Sequence, residues 1–192
     1  MGKYVVLISL VLVIIAIIII KMQVKTNQPP LETPTMTPIP VATEQPIASP
    51  SASQIEATIK TAKGDIVLTL FINEAPKTVA NFVSKAKSGY YNNLTWHRVE
   101  DWVIQGGDPS GNGTGGGQMD TELNNKPFVI GSLGVARGGD IKISNDSQFF
   151  IIKTEASWLN NQYTNFGLLT SGMDVVNKIA IGDKILNVTI KE

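Results

Sequence analysis

The feature that most constrains the fold is the alternation of apolar and polar residues, which begins at Ile55 and recurs in short stretches toward the end of the chain. The first two stretches flank a turn at Lys63-Gly64-Asp65, and apolar residues occupy every second position, so they predict an antiparallel β-hairpin. Many short strands joined by glycine-rich turns are typical of a β-barrel or a β-sandwich. Further strands are predicted at residues 95–99, 103–105, 128–130, 133–136, 149–152, 165–169 and 185–190.

Only two stretches have the spacing of a helix. Apolar residues recur every three or four positions over residues 79–86, where Pro76 suits a first turn, Asn73 is a candidate N-cap and Gly89 would end the helix. A second, shorter helix is predicted at residues 173–179. The sequence therefore predicts a mostly-β domain with two helices.

Composition divides the chain into three parts, residues 1–25, 26–54 and 55–192. An apolar run from Tyr4 to Ile20 lies between lysines, and its length is at the short end of the roughly 17–25 residues that cross a bilayer. The alternative is a cleaved signal peptide, but the residues after the run contain no small-x-small cleavage pattern. We therefore expect residues 1–25 to be an uncleaved signal anchor, a transmembrane helix that spans the cell membrane once.

Residues 26–54 contain most of the ten prolines, together with many threonines and serines. Such a segment has too few large apolar residues to fold by itself, so a disordered, extended stalk is predicted. A stalk that lifts a domain off the membrane favours an extracytoplasmic domain, since the charges around the apolar run are too balanced for the positive-inside rule to decide. The folded part is nearly neutral, so no nucleic-acid partner is expected.

The most specific sequence signal is a set of motifs in one order. Trp96-His97-Arg98 is followed by Gln105-Gly106-Gly107-Asp108-Pro109, a glycine loop at residues 111–117, Ser147-Gln148-Phe149-Phe150-Ile151 and Trp158-Leu159. In this order the motifs resemble the cyclophilins, the peptidyl-prolyl cis-trans isomerases, from about residue 55 to residue 191. The resemblance implies an eight-stranded closed antiparallel barrel, capped by two helices, with the active groove on its outer face. With the anchor and the stalk, it implies a membrane-anchored prokaryotic member that assists the folding of exported proteins.

The resemblance implies three catalytic residues, Arg98, Gln105 and Phe150. Arg98 would donate a hydrogen bond to the prolyl nitrogen, which gains a lone pair as the C–N bond twists. Gln105 would position the substrate backbone and the arginine, and the proline ring would lie on Phe150. Taken alone, an arginine at this place is also typical of a surface ion pair, with Glu100 or Asp101 as its partner.

The other predicted site residues would form the proline pocket, its rim and the neighbouring backbone contacts. Pro-containing polypeptides are the expected substrates, and the domain is expected to be a monomer that needs no cofactor and no metal ion. In the family, sensitivity to cyclosporin follows a tryptophan at the position of Trp158, so cyclosporin binding is expected. The predicted substrate-binding residues are Trp102, Val103, Gly113, Ala136, Arg137, Gly138, Gln148, Trp158, Leu159 and Tyr163.

Other classes of function fit the sequence less well. His97 is the only histidine and there is no cysteine, so a hydrolase triad or a metal centre lacks its residues, and the resemblance implies a structural role for His97. The main alternative is a non-catalytic module that binds Pro-containing peptides in the same groove. Arg98, Gln105 and Phe150 together favour the enzyme, because a pure binder needs no cation aimed at the prolyl nitrogen.

Overall fold

The computed structural model describes residues 55–192. This part of the chain forms nine β-strands, two α-helices and one turn of 3₁₀-helix. The predicted anchor at 1–25 and the predicted stalk at 26–54 lie outside the described residues. Along the chain the elements are β1 (Ile55–Thr61), β2 (Gly64–Leu70), α1 (Pro76–Lys87), β3 (Arg98–Val99), β4 (Val103–Gly106), β5 (Gln118–Asp120), β6 (Ser132–Arg137), β7 (Ile143–Ile152), the 3₁₀-helix (Ser157–Leu159), β8 (Asn165–Ser171), α2 (Met173–Lys178) and β9 (Ile185–Lys191).

The strands form one antiparallel sheet in the order β3-β4-β7-β6-β8-β2-β1-β9, with β5 also paired to β7. The mostly-β prediction is confirmed, but the prediction of an eight-stranded closed barrel is wrong: nine strands are present, and β3 and β9 are the two free ends of the order. Residues 93–96 cross this gap with backbone hydrogen bonds to residues 182–185, and Thr95 forms isolated bridges to Asp108 and Lys184, but no continuous ladder joins β3 to β9. Of the strand predicted at residues 95–99, only Arg98–Val99 is formed, so it is too short to continue the ladder across this gap.

The predicted opening hairpin is confirmed. β1 pairs with β2 from Ile55 opposite Leu70 to Thr61 opposite Gly64. Gly64 has a φ of 130°, a backbone conformation that residues with a side chain rarely adopt, so the glycine permits this tight connection. The inward-facing residues of the hairpin are buried, as the alternation predicted.

The first helix begins at Pro76, so this proline lies in the first turn as predicted. Its N-cap, however, is Ala75 and not Asn73. Ala75 has no side chain that can accept the free N–H groups of the first turn. Glu122, far along the chain, accepts them instead, from the backbone of Lys77 at 3.1 Å and of Thr78 at 2.6 Å. A carboxylate at a helix N-terminus also interacts favourably with the helix dipole.

One predicted strand is absent from the structure, and one observed strand was not predicted. Residues 128–130 are not a strand, since the backbone N–H of Phe128 donates to the side-chain oxygen of Asn160 at 2.7 Å and not to a neighbouring strand. β5 was not predicted at all. No helix within residues 55–192 has the length and the apolar character required to cross a membrane.

The apolar residues form two clusters. The larger cluster joins the inner face of the sheet to both helices and includes Phe82, Trp96 and Phe149. The smaller cluster lies on the other face of β4 and β7. Phe149 belongs to the first cluster and Phe150 to the second, because successive residues of a strand point to opposite faces. β7 therefore contributes to the core and to the candidate site at once.

Candidate active site

A small pocket lies above the second apolar cluster, beside β4, β6, β7 and the 3₁₀-helix. Its volume is about 90 Å³. The pocket can therefore accept a small ring. Every lining residue is one that the sequence predicted for the site: Arg98, Trp102, Val103, Gln105, Ala136, Arg137, Phe150, Leu159 and Tyr163.

The apolar floor of the pocket is centred on Phe150, which is 5% exposed. Phe150 lies opposite Gln105 of β4 and Gly134 of β6. The ring of Phe128 stacks behind it at a centroid distance of 5.8 Å, and the ring of Tyr163 meets it edge-on at 5.8 Å. These contacts hold the Phe150 ring in one orientation, with a free face toward the pocket.

A series of hydrogen bonds through two glutamine side chains connects Arg98, at the pocket, to the glycine loop. Arg98 and Gln105 are directly opposite in the β3–β4 pair, so their side chains share one face of the sheet. Arg98 Nη1 donates to Gln105 Oε1 at 3.2 Å, and Gln105 Nε2 donates to Gln148 Oε1 at 2.9 Å. Gln148 Nε2 in turn donates to the backbone carbonyls of Gly113 and Gly115 at 3.1 and 2.8 Å. This series of hydrogen bonds fixes the Gln105 amide so that its oxygen faces the guanidinium.

Arg98 also forms the surface ion pair that the sequence left open. Its Nε donates to Glu100 Oε1 at 2.7 Å, and the indole Nε1 of Trp102 donates to Glu100 Oε2 at 2.7 Å. These two hydrogen bonds hold the pKa of the Glu100 carboxyl below its ordinary value, and the hydrogen bond from Arg98 has the larger effect. The guanidinium carbon lies 5.3 Å from the centre of the Trp102 ring. The ion pair and the position at the pocket therefore coexist.

Four predicted site residues lie outside this pocket. Gln148 is buried behind Gln105, and Gly113 lies beside the ring of His97. Gly138 lines a separate, more open groove of about 380 Å³. Trp158 is 60% exposed, and its ring contacts that of Trp102 at a centroid distance of 5.6 Å.

The fold and this pocket agree with the comparison to known families. The family model for cyclophilin type peptidyl-prolyl cis-trans isomerases matches residues 56–192, the whole of the described domain except its first residue. The chain belongs to this family. The motif-based prediction of a cyclophilin and of a prolyl isomerase is thereby confirmed, whereas the membrane-anchored prokaryotic character stays a prediction.

Individual relatives give the same result. The cyclophilin domain is 43% identical over 130 residues to peptidyl-prolyl cis-trans isomerase cypE of Dictyostelium discoideum, which covers 64% of this chain and 82% of that protein. It is 43% identical over 139 residues to a peptidyl-prolyl cis-trans isomerase of Helicobacter pylori, covering 69% and 84%. A solved cyclophilin type isomerase of Cryptosporidium parvum, crystallised in the presence of the dipeptide Ala-Pro, superimposes with a TM-score of 0.66 at 30% identity and covers 71% of this chain and 99% of that one. The chain is accordingly a peptidyl-prolyl cis-trans isomerase.

The arginine on the far rim of this cyclophilin's pocket is held differently from Arg98. Arg137 Nε donates to the carbonyl of Gln162 at 2.8 Å, and its Nη1 donates to the carbonyl of Gly138 at 2.8 Å. Its guanidinium carbon lies 4.5 Å from the centre of the Tyr163 ring. The side chain of Arg137 therefore supports the loop and the aromatic wall of the pocket.

The glycine loop below Gln148 is organised by a buried carboxylate. Asp108 accepts backbone N–H groups of Ser110 and Asn112 at 2.8 and 2.9 Å. Burial opposes the charge of Asp108, but the backbone hydrogen bonds hold the pKa of its carboxyl below the ordinary value. The neighbouring His97 has a pKa lowered mainly by burial. Both residues shape the loop whose carbonyls receive Gln148.

Sequence reasoning missed one residue that shapes the pocket floor, Gly134. A Cβ added at this position would overlap the ring of Phe150 and lie 2.8 Å from Phe128 Cε1. The available signal was a glycine inside a predicted strand, which often marks a close approach to the backbone.

Proposed function

We propose that this cyclophilin isomerises Xaa-Pro bonds in the pocket described above, with Arg98, Gln105 and Phe150 as its catalytic residues. The observation that carries the proposal is a guanidinium fixed at the rim of an apolar pocket with room for one ring. The proline ring would lie on Phe150, and Arg98 would then face the prolyl nitrogen.

The chemistry needs no nucleophile and no acid–base pair. Rotation must overcome a barrier of about 18–20 kcal/mol because amide resonance is lost in the twisted state. A 100- to 1000-fold gain in rate corresponds to about 2.7–4.1 kcal/mol. A hydrogen bond from a charged donor supplies about 1.5–3 kcal/mol, and the twisted imide accepts it better than either planar form does. The hydrogen bond from Arg98 would supply a large part of this gain, and holding the proline ring on Phe150 would contribute the remainder.

The residues around the pocket would bind the rest of the substrate. β6 ends at Ala136 and Arg137, and the backbone from there to Gly138 would pair with the residues before the proline. Gly113 lacks a side chain and would leave room for the preceding residue of the substrate. Trp158 would contact residues after the proline or a cyclosporin molecule.

Replacing each rim arginine by alanine in the full-length protein tests this assignment. Arg98→Ala and Arg137→Ala remove the same charge from the same pocket, but only Arg98 has the proposed catalytic role. We expect Arg98→Ala to lower kcat for a short Xaa-Pro peptide by at least tenfold, and Arg137→Ala, which loosens the pocket wall, to raise KM while kcat stays within threefold of wild type. Near wild-type activity of Arg98→Ala, with an unchanged circular dichroism spectrum, would remove Arg98 from the mechanism.

We further propose that the isomerase is held at the cell membrane by residues 1–25, faces away from the cytoplasm, and assists the folding of exported proteins. The apolar run between lysines and the proline-rich segment after it support this arrangement. Protease added to intact spheroplasts is expected to digest the domain. Digestion only after lysis would place the domain in the cytoplasm and exclude this role.

A further inference from the structure

The turn between β3 and β4 is fixed on both sides. The backbone N–H of Glu100 donates to the carbonyl of Val103 at 2.9 Å, which closes the turn. Lys153 Nζ donates to the carbonyl of Glu100 at 2.9 Å, and the backbone N–H of Lys153 donates to the carbonyl of Trp102 at 2.8 Å. The Glu100 side chain therefore starts from a backbone position that does not move freely.

The Glu100 carboxylate receives one pocket residue on each oxygen. Arg98 Nε donates to Oε1 and the Trp102 indole donates to Oε2, both at 2.7 Å. This distance is typical of strong, charge-assisted hydrogen bonds. Asp101 is the next residue and is also acidic and exposed, but within residues 55–192 it forms no ion pair with Arg98.

The two anchors on Arg98 define the plane of its guanidinium. Glu100 holds Nε, and Gln105 holds Nη1 at 3.2 Å. A planar group bound at two of its nitrogens has one remaining orientation, so the unused N–H groups point in a defined direction. Without Glu100, only the longer hydrogen bond to the uncharged amide of Gln105 remains, and a half-exposed arginine has many alternative rotamers.

We infer that Glu100 is a positioning residue of this isomerase, which orients the Arg98 guanidinium and the Trp102 indole together at the rim of the pocket. The inference rests on the proposed role of Arg98. Glu100 itself touches no substrate in this arrangement and acts through the two side chains that it holds. Because Arg98 is proposed to act on the twisted imide, loss of Glu100 reduces kcat more than it raises KM.

The test compares Glu100→Gln with Asp101→Asn in the full-length protein. Both substitutions remove one negative charge from the same exposed turn, so they change the net charge equally. We expect kcat to fall five- to tenfold in Glu100→Gln, with KM changed less than twofold, and both constants to stay within twofold of wild type in Asp101→Asn. In ¹⁵N NMR spectra, the indole signal that Trp102→Phe removes is expected to shift upfield in Glu100→Gln and to remain in place in Asp101→Asn.

A double variant separates this inference from the proposed function. If Glu100 acts through Arg98, adding Glu100→Gln to Arg98→Ala causes no further loss of kcat. A wild-type or raised kcat in Glu100→Gln, an equal loss in Asp101→Asn, or an additive loss in the double variant would each overturn the positioning role. Wild-type activity of Arg98→Ala alone would instead overturn the proposed function.

Discussion

Replacing Gly134 by alanine is expected to disable the pocket without touching any residue that lines it. Gly134 lies in β6 directly opposite Phe150 of β7. Because Gly134 has no side chain, the Phe150 ring can pack directly against its backbone. An added methyl group would overlap this ring and lie 2.8 Å from Phe128 Cε1.

The size of the effect follows from ordinary carbon–carbon distances. Non-bonded carbons pack at about 3.5–4.0 Å, so the aromatic pair must move by about 1 Å. Phe128 stacks behind Phe150, and the Phe150 ring lines the pocket of about 90 Å³. Forcing an extra methyl group into a packed core costs about 1–3 kcal/mol of stability, which a typical domain tolerates. A displacement of about 1 Å in a catalytic arrangement lowers the rate by about 100-fold.

The measurement pairs activity with stability for Gly134→Ala and for the control Gly139→Ala. A Cβ at Gly139, near the end of the same strand, meets nothing within 4 Å. We expect Gly134→Ala to unfold at lower urea concentration, to remain folded in buffer, and to lose at least tenfold in kcat/KM, while Gly139→Ala keeps both properties. Activity within twofold of wild type in Gly134→Ala would show that Phe150 does not hold the proline ring at the position proposed.

Three further results are expected. We expect cyclosporin to inhibit the wild-type enzyme. Trp158→Phe is expected to weaken inhibition more than turnover, because the indole N–H is lost while Phe150 is unchanged. No inhibition of the wild-type enzyme at high micromolar cyclosporin would contradict this prediction. Deleting residues 1–54 leaves kcat/KM unchanged, because the pocket lies wholly within residues 55–192; a large loss contradicts it. Burial lowers the pKa of His97, so the unfolded chain binds the proton first and stability falls as pH drops below about 6.5 toward the lowered pKa. The midpoint in urea therefore falls between pH 7 and pH 5.5 in wild type and falls less in His97→Gln; equal slopes contradict the assignment.

The pocket was predictable because its residues belong to local motifs on a few strands. Arg98 and Gln105 flank one tight turn, and alternation along β7 separates the buried Phe149 from the pocket-facing Phe150. These motifs carry the resemblance to the cyclophilins, and that resemblance implied all nine lining residues. The opening hairpin was predictable for the same reason, since its alternation and its glycine turn are local.

What the sequence did not predict depends on contacts between distant residues. Glu122 caps the first helix from another part of the chain, so Asn73 was a reasonable but wrong candidate. Asn160 binds the backbone of Phe128 and keeps an apolar, strand-like stretch out of the sheet. The gap in the sheet at Thr95 arises because β3 and β9 do not pair, and this depends on two distant parts of the chain. None of these contacts leaves a periodic pattern in the residues around it.

Arg98 shows why a surface ion pair and a site role are not exclusive. The sequence presented them as alternatives, yet a guanidinium carries five N–H donors in a fixed plane. Glu100 and Gln105 accept hydrogen bonds from two of its nitrogens. These hydrogen bonds fix the orientation of the guanidinium plane, and other N–H groups stay available to a substrate. A lysine at this position has three donors on one freely rotating nitrogen, so a hydrogen bond to the carboxylate would not fix the direction of the donors that remain. The ion pair is therefore a condition for aiming Arg98, and its presence argues for a site at this place in the fold.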